Sequence, residues 1–232
     1  MSFGIRLRVS GPYALFTRPE LKVERVTYDV ITPSAARGIL EAIHWKPAIR
    51  WVIDRVHVLS PIRFQNVRRN EVGHKASVAN VKRAMTRADL NGLRLVVDED
   101  RQQRASTVLV APDYLIEAHF EMTAQAGEQD KPAKHHEMFM RRAERGQCFH
   151  QPCLGTREFA AEFTLLPAGA PVPQPPEAAR TAELGFGEPR DLGLMLWDID
   201  HAAPGKPSLF FRSRLKDGIM EVPQPGSAEV LR

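Results

Sequence analysis

At 232 residues the chain is long enough to bury a sizeable core, as one large domain or as a main domain with a smaller one. Its 43% hydrophobic, 26% charged and 7% aromatic residues are those of an ordinary globular protein; they exclude extensive disorder, and no apolar run approaches the length of a bilayer span. A formal charge of +4 and a pI near 9.3 point to affinity for polyanions.

Gly4 to Val9, preceded by Phe3, alternates apolar and polar residues at period two, and Ser10-Gly11-Pro12 breaks the pattern, which predicts a first strand. Tyr13 to Phe16 and Tyr28 to Val30 bracket a polar connection. Thr32-Pro33-Ser34 then reads as a helix cap with proline in the first turn. Ala36, Ile39, Leu40 and Ile43 fall on one stripe of the helix that follows, and Pro47 must end it. His44 and Lys46 are left at its C-terminal edge, where the helix dipole favours an imidazolium.

Ile49 to Leu59 is β-branched and aromatic enough for a long strand. A basic stretch from Arg63 to Arg104 follows, including Arg68 and Arg69, with Arg104 to Val110 as the returning arm of a hairpin. Asn70 to Asn91 shows no clear period and carries the expectation of mobility or of order gained on RNA. Tyr114 to Met122 alternates again as a strand. Lys134 to Arg145 then predicts a second helix with a narrow buried stripe of Met138, Phe139 and Ala143, closed by Gly146, and the turn from Cys148 feeds a further strand near Phe163.

Strand, helix, strand, inserted hairpin, strand, helix, strand is an α+β order of the ferredoxin-like, RRM-like kind. It predicts a domain over residues 1–166 with a basic insert at about 63–104. Prolines crowd residues 167–190 into a linker or extended crossing segment, and residues 191–232 form a small β-rich appendage with an Asp217-Gly218 turn. Cys148 and Cys153 lack further ligands at finger-like spacing, and Arg6 and Arg8 interrupt any N-terminal apolar run. Free thiols, no metal and a reducing, cytoplasmic compartment are the expectation.

Several stretches, in this order and at this spacing, resemble the CRISPR-associated RAMP endoribonucleases of type I-C systems, the Cas-five subtype that processes precursor CRISPR RNA. They are Gly11-Pro12-Tyr13-Ala14-Leu15-Phe16, Ile43-His44-Trp45-Lys46-Pro47, Trp51-Val52-Ile53-Asp54, Ala118-His119-Phe120, Lys134-His135 and Leu154-Gly155-Thr156-Arg157-Glu158. The resemblance implies cofactor-free, metal-independent cleavage of the repeat hairpin, after which the protein stays on the product beside other subunits of an interference complex. That family uses a tyrosine in an Ile-Tyr-Trp-Lys-Pro context and the Lys-His pair of the second helix. Carried over, these roles fall on His44, with histidine replacing the tyrosine, and on Lys134 and His135.

The residue types suit that chemistry. Metal-free cleavage by the neighbouring 2′-OH needs a base, an acid and positive charge on the pentavalent phosphate. Two imidazoles can divide the proton work while an ammonium stabilises the phosphorane. His136, about 100° further round the helix, becomes a spectator or RNA contact. Arg141, Arg142 and Arg145, with Lys46, Arg68 and Arg69, are expected to track the RNA backbone. Without the resemblance, Lys134-His135-His136 reads as a solvated first helical turn. Two other functions remain: a non-catalytic RNA-binding subunit, and general duplex binding, DNA included, through the basic insert.

Overall fold

The alternation after Gly4 becomes strand β1, Ile5–Ser10, which buries Ile5, Leu7 and Val9. The computed structural model describes residues 4–21, 23–91, 93–167, 169–201 and 203–232, so Phe3, read as the start of that alternation, lies outside it. Two short strands follow, β2 (Tyr13–Ala14) and β3 (Arg25–Val26), before helix α1 (Pro33–Ile43). Its first turn follows from local chemistry: the Ala35 N–H donates to Thr32 Oγ1, and Pro33 lacks the N–H that would otherwise be orphaned there. The stripe read from the sequence, Ala36, Ile39, Leu40 and Ile43, is buried.

Strands β4 (Ile49–Val58), β7 (Asp113–Met122), β8 (Glu162–Leu165) and β11 (Ile219–Glu221) join β1 in a five-stranded sheet ordered β11-β4-β7-β1-β8, with every neighbouring pair antiparallel. Helix α1 connects β1 to β4 in the chain, and helix α3 (Pro132–Glu144) connects β7 to β8. Between Ile53 and Arg55 the pairing of β4 with β7 slips by one, leaving Asp54 as the extra residue of a bulge. The slip resets the alternation, so that Trp51 and Ile53 before it and Val56 and Val58 after it are all buried.

The basic insert builds a second sheet: β5 (Phe64–Val72) pairs antiparallel with β6 (Arg101–Val110), and β6 also takes β2 antiparallel and β3 parallel. Within the stretch that shows no period in the sequence lies helix α2 (Val78–Arg87), capped by Ser77. It buries only Ala84 and leaves Val78 and Met85 exposed, which explains why no core-facing stripe betrays it.

The proline-rich segment crosses the body through two single turns, Glu177–Ala179 and Ala182–Leu184, and sets Ala179 and Leu184 into the core. Strands β9 (Arg190–Ile199) and β10 (Ser208–Leu215) form a two-stranded ribbon that adds Leu192, Met195, Phe211 and Leu215 to the same core. After the Asp217-Gly218 turn, with both residues at positive φ, the chain makes one bridge back and then runs as β11 along the edge of β4. The last strand therefore satisfies hydrogen-bonding groups that the edge of the main sheet would otherwise leave open.

Candidate functional site

The end of α1 is fastened by three consecutive carbonyls, each given a donor from a different part of the chain. Ala42 O accepts from the Phe149 N–H at 2.8 Å, Ile43 O from Arg142 Nη1 at 2.8 Å, and His44 O from the Trp51 indole at 2.9 Å. These are the carbonyls that a helix C-terminus leaves without intrahelical partners. Their capture fixes His44, whose own N–H still bonds Leu40 O at 3.0 Å, as the cap residue.

Helix α3 begins at Pro132, two residues before the start expected from the sequence. His135 falls in one row with Phe139 and Ala143, at i, i+4 and i+8, and that row is the buried one. Met138, expected in the stripe, is only half-buried. The Trp51 ring packs against Phe139 and Phe120, with centroids 4.8 and 5.4 Å away, and Phe120 meets His135 edge-on.

His44 and His135 meet in this apolar wall. Nε2 of His44 lies 3.1 Å from Nδ1 of His135, and the two side chains belong to residues only 1% and 2% exposed. The remaining partners assign the protons. Asp130 Oδ1 stands 3.2 Å from His135 Nε2, and Arg142 Nη1 stands 3.5 Å from His44 Nδ1. A carboxylate only accepts and a guanidinium only donates, so His135 carries its proton on Nε2 and accepts at Nδ1. His44 then donates from Nε2 and keeps its lone pair on Nδ1. Both rings are neutral in this pattern.

Electrostatics agree for His44: burial first, then Arg142, His135 and Lys46, push its pKa down to about 4. The imidazolium expected from the dipole at the end of α1 is therefore not what the fold holds, because loss of hydration and nearby cations outweigh the dipole. Asp130 is held below the usual carboxylate range, chiefly by the Gly127 N–H and also by His135 and Lys134.

Of the three residues carried over from the resemblance, His44 and His135 touch. Lys134 sits beside them on the exposed side of the first turn, its ammonium donating to Gln129 O at 3.3 Å. Lys46, just past the end of α1, is exposed, as are Arg141 and Arg145 at the far end of α3 from His135. Arg142 was expected on RNA; its guanidinium instead turns inward to the end of α1, because Ile43 O needs a donor there. His136 points elsewhere and lines a cavity of about 430 Å³ with Arg6, Asp54, Glu117 and Met140. Arg68 and Arg69 lie on β5 in the second sheet, where Arg68 is exposed and Arg69 is engaged by Glu158 at 3.0 Å and Glu71 at 3.4 Å.

Asp130 escaped sequence reasoning, since an acid five residues before a histidine in a polar loop gives no signal. Among the described residues no group of three or more His, Cys, Asp or Glu is arranged to hold a metal ion, and none of the helices is long and apolar enough to cross a membrane.

Fold and site define a mixed α/β protein of largely antiparallel sheets with a buried imidazole pair where two helix ends meet. A solved structure described as a CRISPR-associated protein shares the fold, with a TM-score of 0.66 at 24% identity over 99% of this chain and 96% of that one. The defining pattern of the Cas5d family, described as CRISPR-associated protein (Cas_Cas5), matches residues 4–223, and the chain belongs to that family. A protein of Mannheimia succiniciproducens named CRISPR pre-crRNA endoribonuclease Cas5d is 55% identical over 232 residues, the whole of both chains. One of the same name from Thermus thermophilus is 37% identical over 98% of this chain and 95% of its own.

Proposed function

We propose that this protein is an endoribonuclease that cuts precursor CRISPR RNA in the repeat hairpin without a metal ion, leaving 2′,3′-cyclic phosphate and 5′-OH ends, and then remains on the product within a type I-C interference complex. The two curated relatives, full-length matches named for that reaction, support the reaction class. The observation that carries the site is the 3.1 Å contact between His44 and His135, drawn from helices far apart in the chain, with Lys134 next to it. Imidazoles exchange protons near neutral pH, and the exposed ammonium of Lys134 is free to leave a loop carbonyl for a phosphate oxygen. The order β4-β7-β1-β8, with a helix in each crossover, supports a ferredoxin-like body over residues 1–166. Residues 167–190 cross it and residues 191–232 complete it. Lys46 follows the RNA backbone beside the pair, with Arg141 and Arg145 at the far end of α3 and Arg68 on the second sheet as contacts further along the hairpin.

The test is cleavage of the cognate repeat hairpin in excess EDTA by the intact protein and by His44→Ala, His135→Ala and Lys134→Ala. Expected are cyclic-phosphate ends from the wild type, and variants that bind within about threefold but cut about a hundredfold more slowly. A second reading, a structural RNA-binding subunit that cuts nothing, is favoured by one observation: both imidazoles are covered, at 1% and 2% exposure. Binding without cleavage, in EDTA and in magnesium alike, would establish it.

A further inference from the structure

We propose that Asp130 is the positioning residue of the imidazole pair: its carboxylate holds His135 in the Nε2–H form and supplies the counter-charge beside which a proton relayed through His44 comes to rest. This rests on the nuclease reading above and deepens it.

The carboxylate is itself fixed. Gly127 N–H donates to Asp130 Oδ2 at 3.0 Å, and the Asp130 N–H returns a bond to Gly127 O at 3.0 Å, so a closed turn just before α3 aims Oδ1 at His135 Nε2, 3.2 Å away. Four atoms then stand in line: Asp130 Oδ1, the two nitrogens of His135, and Nε2 of His44, with the lone pair of His44 Nδ1 at the far end. An occupant at the position of Asp130 that can donate a hydrogen bond would change which nitrogen of His135 carries hydrogen. The direction of the whole chain would follow, as it does where a carboxylate orients a catalytic histidine.

The line also resolves a difficulty in the chemistry. His44 faces Arg142 from α3 and Lys46 from the connection to β4, while His135 faces Asp130, with Lys134 beside that carboxylate, and the uncharged ring of Phe120. Among these cations His44 is a weak terminal base. When the 2′-OH gives its proton to Nδ1 of His44, the Nε2–H proton of His44 passes to Nδ1 of His135. His44 ends neutral in its other tautomer, and His135 ends as an imidazolium paired with Asp130. One O–H and one N–H bond break and two N–H bonds form; the electron pair released on the 2′-oxygen attacks phosphorus. The positive charge comes to rest next to the carboxylate facing the pair, and the proton reaches the 5′-oxygen by the reverse path: Nδ1 of His135 returns it to Nε2 of His44 as His44 releases its Nδ1 proton to the leaving oxygen.

The experiment reads the ¹⁵N tautomer pattern of His135 by NMR in the full chain without RNA, and the pH–rate profile of repeat cleavage in EDTA, for wild type, Asp130→Asn and Asp130→Glu. The wild type should show an Nε2–H, Nδ1-acceptor pattern. Asp130→Asn can donate to His135, so it should show a mixed or reversed pattern. It should also cut about a hundredfold more slowly with RNA affinity changed less than about threefold, and the acidic limb of its pH–rate profile should move to lower pH, because the pair acts as a base when neutral and its protonated form has lost the counter-charge. Asp130→Glu should recover part of the rate. The proposal is overturned by an Nδ1–H pattern in the wild type, a reading that stands even if a variant does not fold. It is equally overturned if folded Asp130→Asn keeps the wild-type tautomer and pH profile. If the wild type has the stated tautomer, loses it in Asp130→Asn, and yet cuts no RNA, the positioning role stands while the relay falls with the nuclease reading.

Discussion

Acidification should destabilise this protein through His44 by an amount that can be separated from every other titration. The imidazole is 1% exposed, and its pKa is held at about 4, by burial above all, against 6.5 for a free histidine. Above 6.5 the ring is neutral in folded and unfolded chains alike. As the pH falls from 6.5 to about 4 the unfolded chain takes up a proton that the folded chain refuses, so stability present above 6.5 is progressively lost. The gap of about 2.5 units corresponds to about 3 kcal/mol at the lower end, a large share of the roughly 5–15 kcal/mol by which domains are stable. The assay is urea unfolding of wild type and His44→Gln at about pH 7.5 and pH 4 with a common slope. Wild type should lose about 3 kcal/mol more than His44→Gln across that window, since His57, also depressed by burial, titrates in both and cancels. Equal losses in the two proteins would refute the reasoning, because they would mean that the fold already accommodates a charged His44.

Two further outcomes follow from the same geometry. Arg142→Ala removes the donor to Ile43 O, costing about 1 kcal/mol, and removes the leading cation near His44. The His44 pKa should therefore rise, measured by NMR titration, and the acid-dependent loss should shrink; a downward shift would contradict the assigned cause. Gly155→Ala and Gly187→Ala both place a Cβ at positive φ, a strain of roughly 1–2 kcal/mol, but at Gly155 the new carbon would also lie 2.0 Å from Leu15 O, whereas at Gly187 it meets nothing within 4 Å. Thermal unfolding should show a far larger loss at Gly155, and equal losses would reject the close approach of these two backbones.

What the sequence disclosed and what it hid divide along a physical line. Helix α1 was legible because its information is local: a threonine cap, a proline in the first turn, and a stripe at helical spacing. The proximity of His44 and His135 was legible only through the resemblance, since no periodicity links residues 91 positions apart. The burial of His135 was hidden by a polar run, Lys134-His135-His136-Glu137, that reads as solvated. The spacing of His135, four from Phe139 and eight from Ala143, puts it in their buried row. Arg142 looked like one more surface cation of a basic helix. Its inward turn answers the need of a carbonyl at the end of another helix, and such needs arise only once elements pack. The pairing of strand β11 escaped for a similar reason: an Asp-Gly turn announces a return, but whether the strand pairs with its hairpin partner or with an open edge is settled by the edge.

The histidine at position 44 makes a last prediction, because the resemblance places a tyrosine there. A phenol has one oxygen for both donating and accepting, whereas an imidazole separates the two roles on different atoms; only the imidazole can take a proton at one end and release another at the opposite end. A tyrosine also reaches further from the backbone than the imidazole does. With His135 Nδ1 only 3.1 Å from the ring of His44, the hydroxyl has no room in the present line. Overpacking of about 1–3 kcal/mol should therefore drive the phenol of His44→Tyr out of the wall formed by Trp51 and Phe120. If that variant still cuts repeat RNA, it should do so with its pH–rate profile displaced upward, reflecting a group that ionises near 10 rather than the imidazole pair. A wild-type profile from His44→Tyr would show that the proton never passed through position 44, and the two-ring relay would then give way to His135 and Asp130 acting alone.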